Sequence, residues 1–397
     1  MKPLNEVVQN TPPSGIRRFF DIAQSMEGVI SLGVGEPDYV TPWRVRESGI
    51  WSLEHGYTTY TSNAGLLELR QAISKKLNSL YQLDYDPDKQ ILITVGVSEG
   101  LDLALRALLN QGDEVIVPDP CYVSYVPCIQ FAGGVPVRVP SYSEEEFRLD
   151  PERMERAITS KTKAILLCYP ANPTGATQTR ENLRKIVTVA AAHDLYLISD
   201  EIYDRLSFTR PHTSIPALTG AWDRTVLLNG FSKAYAMTGW RIGYACGPSP
   251  IIEAMTKIHQ YTMLCASHLA QRAALEAING GEEDVQAMVA DYDRRRRYFV
   301  RGLNSAGLDC QEPSGAFYAF PSIRHTGLSS LEYAEALLMK ERVAVVPGNA
   351  FGDCGEGHIR CSYATSLDNL EEAIDRIRRF NDQLGGHRLE KTGAALP

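Results

Sequence analysis

Short apolar runs alternate with amphipathic stretches between about residues 90 and 250. The runs are rich in β-branched residues and are bounded by Gly, Pro or Asp, which is typical of buried strands. Predicted strands are QILITV (90–95), EVIVP (114–118), VPVRV (135–139), KAILLCY (163–169), LYLIS (195–199), TVLLNGF (225–231) and RIGYACG (241–247). Helical patterns separate most of them, as in SEGLDLALRALLN (98–110) and RENLRKIVTVAAAHD (180–194). This alternation predicts an α/β fold with a largely parallel, mixed sheet that is covered on both faces.

The flanks have a different pattern. Residues 1–45 are rich in Pro and Gly, and a long helical stretch follows the last strand at about 250–280. Beyond it, helices mix with short predicted strands at AFYAF (316–320), RVAVVP (342–347) and GHIRCSY (357–363). A chain of 397 residues is long enough for two domains. We therefore expect a large domain over 46–284 and a smaller α+β domain built from 1–45 and 285–397.

Composition and charge exclude several classes of protein. A net charge of −8 argues against binding to nucleic acid, which needs a basic face. The run from Arg294 to Arg297 lies among apolar residues at helical spacing, so we interpret it as a solvated helix face. No segment has the apolar length of a signal peptide or a membrane span. The cysteines and histidines form no metal-binding spacing. We expect a soluble cytoplasmic protein without a metal.

Polar residues follow several of the predicted strands, where doubly wound sheets bind their ligands. Gly96-Val97-Ser98 opens a helix, residues 169–175 read YPANPTG, and residues 200–203 read DEIY. Ser232-Lys233 follows the next strand, and Arg241 comes eight residues after Lys233. Each could be a plain helix cap, a turn or a solvated charge. Together they predict a site that combines an anion-binding turn with an acid, an amine and a guanidinium.

These segments resemble the class I and II aminotransferases of the aspartate aminotransferase fold type. The match runs in order over about nine-tenths of the chain. It is carried by SLGVGEPDY (31–39), YTSNAGLLELRQAI (60–73), YPANPTG (169–175), SDEIYDRL (199–206), SKAYAMTGWRIGY (232–244) and HIRCSYA (358–364).

The resemblance implies pyridoxal 5′-phosphate (PLP) as cofactor, carried as a Schiff base on Lys233. A lysine with a lowered pKa can form the imine and then move the substrate proton. Asp200 would pair with the pyridine nitrogen and keep it protonated. Tyr203 and Asn172 would bind the phenolate oxygen from opposite sides.

The resemblance also implies a phosphate site. Arg241, Ser232 and the backbone N–H groups around Val97 and Ser98 would hold the phosphate by charge and by helix-terminus amides. Tyr122, in DPCYVSY, would stack on the pyridine ring, although a tyrosine of the core would have the same sequence pattern.

Substrate and subunit contacts follow from the same resemblance. Arg360 would bind the substrate α-carboxylate through two parallel hydrogen bonds, next to Asn172. Gly35 would let the backbone close over that carboxylate without a side chain in the way. Tyr60 would reach the phosphate of the neighbouring subunit, which implies a homodimer with shared active sites.

Around the expected substrate pocket, this sequence differs from family members that are selective for dicarboxylates. Some of these have a cation at the position of Ser98, and the segment 259–270 is apolar here. Tyr122, Tyr125 and Ser98, which we expect around the substrate side chain, are uncharged. We therefore expect aromatic or apolar amino donors, or a breadth that includes aspartate, with a 2-oxo acid as acceptor.

Two alternatives stay open at this point. A PLP-dependent cysteine-conjugate β-lyase would share every motif quoted above. The effector domain of a transcription regulator would need an N-terminal winged-helix segment of some 70 residues. Because the family pattern begins near residue 14, we expect no such segment.

Overall fold

The computed structural model describes residues 2–13 and 26–392, with side chains described up to residue 384. The helices are α1 (Glu6–Asn10), α2 (Trp43–Glu54), α3 (Leu67–Tyr81), α4 (Gly96–Leu108), α5 (Tyr125–Phe131), α6 (Pro151–Arg156), α7 (Arg180–Ala192), α8 (Ser249–Thr262), α9 (His268–Gly280), α10 (Glu282–Ser305), α11 (Ser330–Glu341) and α12 (Leu367–Thr392). The strands are β1 (Ile30–Ser31), β2 (Ile91–Thr94), β3 (Glu114–Asp119), β4 (Val135–Pro140), β5 (Thr162–Cys168), β6 (Tyr196–Asp200), β7 (Thr225–Gly230), β8 (Gly243–Cys246), β9 (Tyr318–Ala319), β10 (Val343–Ala344), β11 (Val346–Pro347) and β12 (Ile359–Ser362).

A seven-stranded sheet forms the centre of the molecule, in the order β2-β8-β7-β6-β5-β3-β4. Strands β3 to β7 pair in parallel, and β8 runs antiparallel to both of its neighbours. All seven strands predicted for this region are present, with ends that differ by one or two residues. The predicted fold class, α/β with a mostly parallel mixed sheet, is confirmed.

Both faces of the sheet are buried, as continuous apolar strands require. Successive residues of β5 point to opposite sides: Leu166 belongs to the core under α4, whereas Ile165 and Leu167 pack with α7. On α7, Leu183 and Ile186 complete that second layer. Because neither face meets water, the strand sequence shows no alternation of polar and apolar residues.

Two small sheets lie outside the central one. Strand β1 pairs in parallel with β10, and β11, β12 and β9 form an antiparallel sheet in which Val346 lies opposite Arg360. The segment predicted as one strand at 342–347 is therefore two, one in each small sheet. Because β1 from the N-terminal part pairs with β10 from the C-terminal part, the two flanks meet in space. The division into 46–284 and the two flanks stays a prediction, and its first boundary falls within α2, which packs against α9.

The helical stretch predicted at about 250–280 was wrong as a single element. It is broken between α8 and α9, where Leu264 adopts a left-handed backbone with φ of 69°. The Ser267 side chain accepts a hydrogen bond from the Ala270 N–H and so begins a new helix. No Gly or Pro marks this break, which is why the apolar periodicity concealed it.

The arginine run lies on α10 as predicted, but its four members are not all solvated. Arg294 and Arg297 are exposed, whereas Arg295 and Arg296 are buried. One Arg295 guanidinium nitrogen donates to Asp38 at 2.7 Å. The buried half of the run therefore anchors the loop after β1, and the prediction of a wholly solvated face was wrong.

The strand ends now fix the position of the polar residues. Cys168 at the end of β5 lies opposite Asp200 at the end of β6, and Lys233 follows β7 by three residues. These parallel strands end at one edge of the sheet. Across the described part of the chain, helices with the length and apolarity for crossing a membrane are lacking.

Candidate active site

A cavity of about 550 Å³ opens at this edge of the central sheet. It is enclosed by strand ends on one side and by the loop after β1, β9 and β12 on the other. Its lining residues are Gly33, Val34, Gly35, Glu36, Val97, Ser98, Leu101, Tyr122, Ser124, Tyr125, Cys128, Cys168, Asn172, Asp200, Ile202, Tyr203, Ser232, Lys233, Thr238, Arg241, Tyr318 and Arg360. Every site residue predicted from the sequence is in this set except Tyr60.

Lys233 projects into the cavity from the loop after β7. Its Nζ donates to the carbonyl oxygen of Gly35 at 2.6 Å. Burial lowers the pKa of Lys233 to about 8, and the nearby carboxylate of Glu36 opposes that shift. At this pKa about a tenth of the amine is neutral at pH 7, far more than for an ordinary lysine, and the neutral form can act as a nucleophile or base.

Asp200 lies at the end of β6 with both carboxylate oxygens bonded. The Tyr125 hydroxyl donates to Oδ2 at 2.8 Å, and the Ile202 N–H donates to Oδ1 at 3.2 Å. Burial raises the pKa of Asp200 to about 6, and the hydrogen bond from Tyr125 opposes this shift. Burial also raises the pKa of Tyr125 well above its usual value, so its hydroxyl stays a donor.

Tyr122 and Tyr125, both expected near the substrate side chain, line the cavity, with their rings edge-on at a centroid distance of 5.5 Å. The sequence did not indicate the contact between Tyr125 and Asp200. The Tyr125 side chain is almost fully buried, and its hydroxyl donates to Asp200. Tyr125 begins α5, whereas Tyr122 lies in the preceding loop.

Tyr318 is a site residue that the sequence did not reveal. Its hydroxyl lies 2.8 Å from the hydroxyl of Tyr203, and its ring lies 4.5 Å from the guanidinium carbon of Arg360. Burial raises the pKa of Tyr318 to about 12, and the Arg360 charge opposes this. The segment AFYAF indicated a strand, and only the alternation of its rings could have indicated an inward hydroxyl.

Arg360, on β12, is buried and held on two sides. It donates to Asn172 Oδ1 at 2.9 Å and to the Gly33 carbonyl oxygen at 2.6 Å. Among the described residues, its Nε has no hydrogen-bond partner. A Cβ atom on Gly35 would lie 2.7 Å from the Tyr318 hydroxyl, so only glycine fits there. The arginine is therefore fixed in direction while part of its donor set is free for an anion.

A second anion-binding arrangement lies at the start of α4. Gly96 has a φ of 73°, and a Cβ atom there would lie 2.7 Å from a guanidinium nitrogen of Arg241. Val97 and Ser98, in the first turn of α4, line the same cavity as Ser232. Free helix-terminal amides beside a guanidinium suit a phosphate.

Tyr60 lies apart from this cavity. Its side chain is 79% exposed, the position expected of a residue that could contact another subunit. Glu36 and Thr238 line the cavity although the sequence did not indicate them, and the Thr238 hydroxyl donates to Glu36 at 3.0 Å. Glu36 lies inside the GVGEPDY motif, but no feature of the sequence distinguished it from an ordinary exposed glutamate.

The chain belongs to the aminotransferase class I and II family, whose model matches residues 27–377. It is a PLP-dependent aminotransferase of fold type I.

Individual relatives differ in the substrates that their names state. The Bacillus subtilis (strain 168) protein YugH, named as an aminotransferase, is 54% identical over 95% of this chain and 98% of its own. The aspartate aminotransferase of Pyrococcus abyssi is 46% identical over 92% of this chain and 95% of its own. The aromatic aminotransferase structure from Pyrococcus horikoshii OT3 has 43% identity and a TM-score of 0.88, covering 92% of this chain and 100% of that one.

Proposed function

We propose that this chain moves the amino group of an L-amino acid to a 2-oxo acid, with PLP bound as a Schiff base on Lys233. The observation that carries the proposal is the convergence of Lys233, Asp200 and Arg360 on one cavity. An amine with a lowered pKa, a buried carboxylate and a carboxylate-binding guanidinium are the three groups that such chemistry requires.

The residues present fit this cofactor. The cradle of Gly96, Arg241 and Ser232 would hold its phosphate, and a side chain at Gly96 would fill that cradle. Asp200 would accept a hydrogen bond from the protonated ring nitrogen, and the amide nitrogen of Asn172 would donate to the phenolate oxygen. When bound, the cofactor supplies an electron sink for the pair of electrons left at the substrate α-carbon.

Three further side chains complete this arrangement. The hydroxyl of Tyr203 would donate to the phenolate oxygen, and burial raises its pKa well above the usual value. Tyr318, 2.8 Å away, would hold that hydroxyl in place. The ring of Tyr122 would stack on the pyridine, because it lines the cavity and offers a flat apolar face.

Lys233 would move the proton between the α-carbon and the carbonyl-derived carbon of the cofactor. Its bond to the Gly35 carbonyl oxygen directs the amine toward the loop that Arg360 also contacts through Gly33. The loop after β1 would therefore position both the amine of Lys233 and the arginine that binds the substrate carboxylate. The unpartnered Nε of Arg360 supports this use.

We also propose a homodimer with Tyr60 reaching the partner's phosphate site. Asn63, in the loop that carries Tyr60, donates to the Leu264 carbonyl oxygen at 2.6 Å, which joins this loop to the break between α8 and α9. Large apolar side chains are exposed near this break, on α2 and just before α2. They are Val40, Trp43, Ile50, Trp51, Leu53, Tyr261, Met263 and Leu264. Such exposed apolar groups support a protein partner.

Sedimentation velocity should give a particle of two chains. Tyr60→Phe should weaken PLP binding, while Tyr261→Phe, a change at a neighbouring exposed ring, should not. A fully active monomer would contradict the shared site.

The proposed donor range is aromatic and apolar amino acids, broad enough to include aspartate. Within the described ranges, the cations of the cavity are Lys233, Arg241 and Arg360, and each has a role above. A second substrate carboxylate would face Glu36 without a partner, and burying it would cost several kcal/mol, on the order of an unpaired buried ion. An apolar side chain would gain about 1.5–3 kcal/mol on burial.

A donor panel with 2-oxoglutarate, pyruvate and oxaloacetate tests this range. We expect kcat/KM for phenylalanine or leucine at least equal to that for aspartate. Glu36→Gln should raise the aspartate-to-phenylalanine ratio, whereas Glu181→Gln, on the exposed surface of α7, should leave it unchanged. A tenfold preference of the wild type for aspartate, about 1.4 kcal/mol, would overturn the apolar assignment.

The same preparations separate transamination from β-elimination. Holoenzyme mixed with an amino acid alone should convert once, to the aminated cofactor, and stop. Continued release of pyruvate and ammonia from a cysteine conjugate would instead identify a β-lyase.

A further inference from the structure

A buried acid–imidazole pair, Glu99 and His259, lies at the start of α4, where the anion cradle begins. The Nδ1 of His259 lies 2.6 Å from Oε1 of Glu99, and the side chains are 0% and 8% exposed. Neither residue lines the cavity. The His259 Nε2 has no hydrogen-bond partner among the described residues, so the imidazole is committed to Glu99 alone.

Glu99 also contacts the backbone that enters α4. Its Oε2 accepts from the N–H of Val95 at 2.5 Å, and Val95 is the N-cap residue of α4, with no side-chain cap of its own. One residue further, Gly96 takes its left-handed conformation against Arg241. The carboxylate therefore fixes the peptide from which the cradle begins.

The position of Glu99 creates a conflict. It is the acidic residue in the first turn of α4, where the helix dipole and free N–H groups attract any carboxylate. Those N–H groups, around Val97 and Ser98, are the ones a phosphate would need. An unrestrained Glu99 would compete for them and would repel a phosphate dianion.

We infer that His259 is a positioning residue that holds the Glu99 carboxylate on the Val95 N–H and away from the phosphate-binding end of α4. The inference rests on the proposed PLP site. The imidazole, fixed in the last turn of α8, binds one carboxylate oxygen and leaves the other for Val95. The N–H groups of the cradle and Arg241 then stay available for the cofactor phosphate.

Binding to apoprotein tests the inference without turnover. PLP and pyridoxal, which lacks the phosphate, are titrated into wild type, His259→Leu, Glu99→Gln and the double variant. His259→Leu should weaken PLP binding about tenfold and leave pyridoxal binding within twofold. Adding Glu99→Gln to it should restore most of the PLP affinity, because an amide still accepts from Val95 but carries no charge.

Two further variants separate this role from a general loss of stability. His259→Asn keeps an N–H close to the position of Nδ1 and should behave nearly as wild type. His212→Leu breaks a second buried pair, His212 with Glu201 at 2.7 Å, outside the cavity. It should lower the melting temperature without changing the ratio of PLP to pyridoxal affinity.

Two outcomes would overturn the inference. One is an unchanged ratio of PLP to pyridoxal affinity in His259→Leu, whether or not both affinities fall, and the other is no recovery in the double variant. A wild-type apoprotein that binds no PLP would contradict the proposed function itself, which keeps the two failures distinct. The phosphorus NMR shift of bound PLP should move in His259→Leu and return in the double variant.

Discussion

The two walls of the cavity are built differently. One wall, with Lys233, Asp200 and Tyr125, stands at the ends of neighbouring elements of the central sheet, and burial shifts the pKa of each. The other wall, with Arg360 and Tyr318, comes from a small sheet and is held by hydrogen bonds and ring contacts. We propose that the first wall sets proton affinity and the second sets the position of the substrate. Variants of the first should therefore lower kcat, and variants of the second should mainly raise KM.

The largest effect should follow from Lys233→Ala, with a loss of kcat of at least ~1,000-fold, because no other lysine of the described residues lines the cavity. PLP should still bind, but borohydride should no longer fix it to the chain. The matched control is Lys76→Met: burial also lowers the pKa of Lys76 to about 8, but it bonds Tyr235 outside the cavity. Peptide mapping of the reduced wild type should find the cofactor on Lys233, and a label on Lys76 would contradict the assignment.

Asp200→Asn should cost at least ~100-fold in kcat, about 2.7 kcal/mol in the barrier. The amide keeps the size of the side chain but removes the charge that holds a proton on the ring nitrogen. Single-turnover absorbance at saturating amino acid measures the step directly. Asp204→Asn is the control, a buried carboxylate bonded to Tyr81 outside the cavity. Near-normal turnover in Asp200→Asn would assign the ring nitrogen to another group.

Arg360→Lys tests the opposite wall. It keeps the charge but loses the fork that can bind a carboxylate twice, so kcat/KM should fall about 30-fold, or ~2 kcal/mol. Most of the loss should be in KM, and PLP affinity should change little. Inhibition by a simple aromatic monocarboxylate should weaken in parallel. A fall confined to kcat would mean that Arg360 acts on the reaction step, and the division between the walls would fail.

The pKa of Lys233 gives a smaller effect with a definite direction. PLP combines only with the neutral amine, whose fraction rises with pH up to the pKa. Because that pKa is lowered to about 8, the rate of PLP incorporation into apoprotein should rise about tenfold per unit below pH 8 and level off above it. Stopped-flow absorbance between pH 6 and 10 would measure it. A rate still rising near pH 10 would show an ordinary lysine.

The two walls also differ in how far the sequence predicts them. Lys233 and Asp200 follow apolar runs whose order along the chain places them at one sheet edge, so the sequence could place both. Tyr318 and Glu36 join the site through contacts with Tyr203 and Thr238, which lie more than 100 residues away along the chain, and no local sequence pattern indicates such contacts. Arg360 was placed only because its motif resembles a family pattern.

Local signals also failed inside the well-predicted wall. Tyr125 and Tyr122 stand three residues apart in one loop-to-helix segment, and only the start of α5 decides which turns toward Asp200. The break between α8 and α9 depends on the left-handed backbone of Leu264. Leucine seldom adopts this conformation, so the sequence does not predict it. Both depend on tertiary packing, which overrides local propensity.

The smallest effects come from one matched pair of variants, Tyr125→Phe and Tyr318→Phe. Each removes one hydroxyl that is hydrogen-bonded within the cavity wall, so each should cost about 3- to 5-fold, near ~1 kcal/mol. Tyr125→Phe removes the donor that opposes the raised pKa of Asp200, so more of that carboxyl is protonated. Its loss should therefore be in kcat and should be greatest at low pH.

Tyr318→Phe keeps the ring on Arg360 and frees the hydroxyl of Tyr203 from its partner. Its loss should be independent of pH between 6 and 8, because burial raises the pKa of Tyr203 well above its usual value and the hydroxyl stays protonated throughout that range. Steady-state kinetics of both variants at several pH values would give two different profiles. If the two pH profiles coincide, the two hydroxyls have the same effect on the reaction. The proposed difference between the two walls would then be wrong.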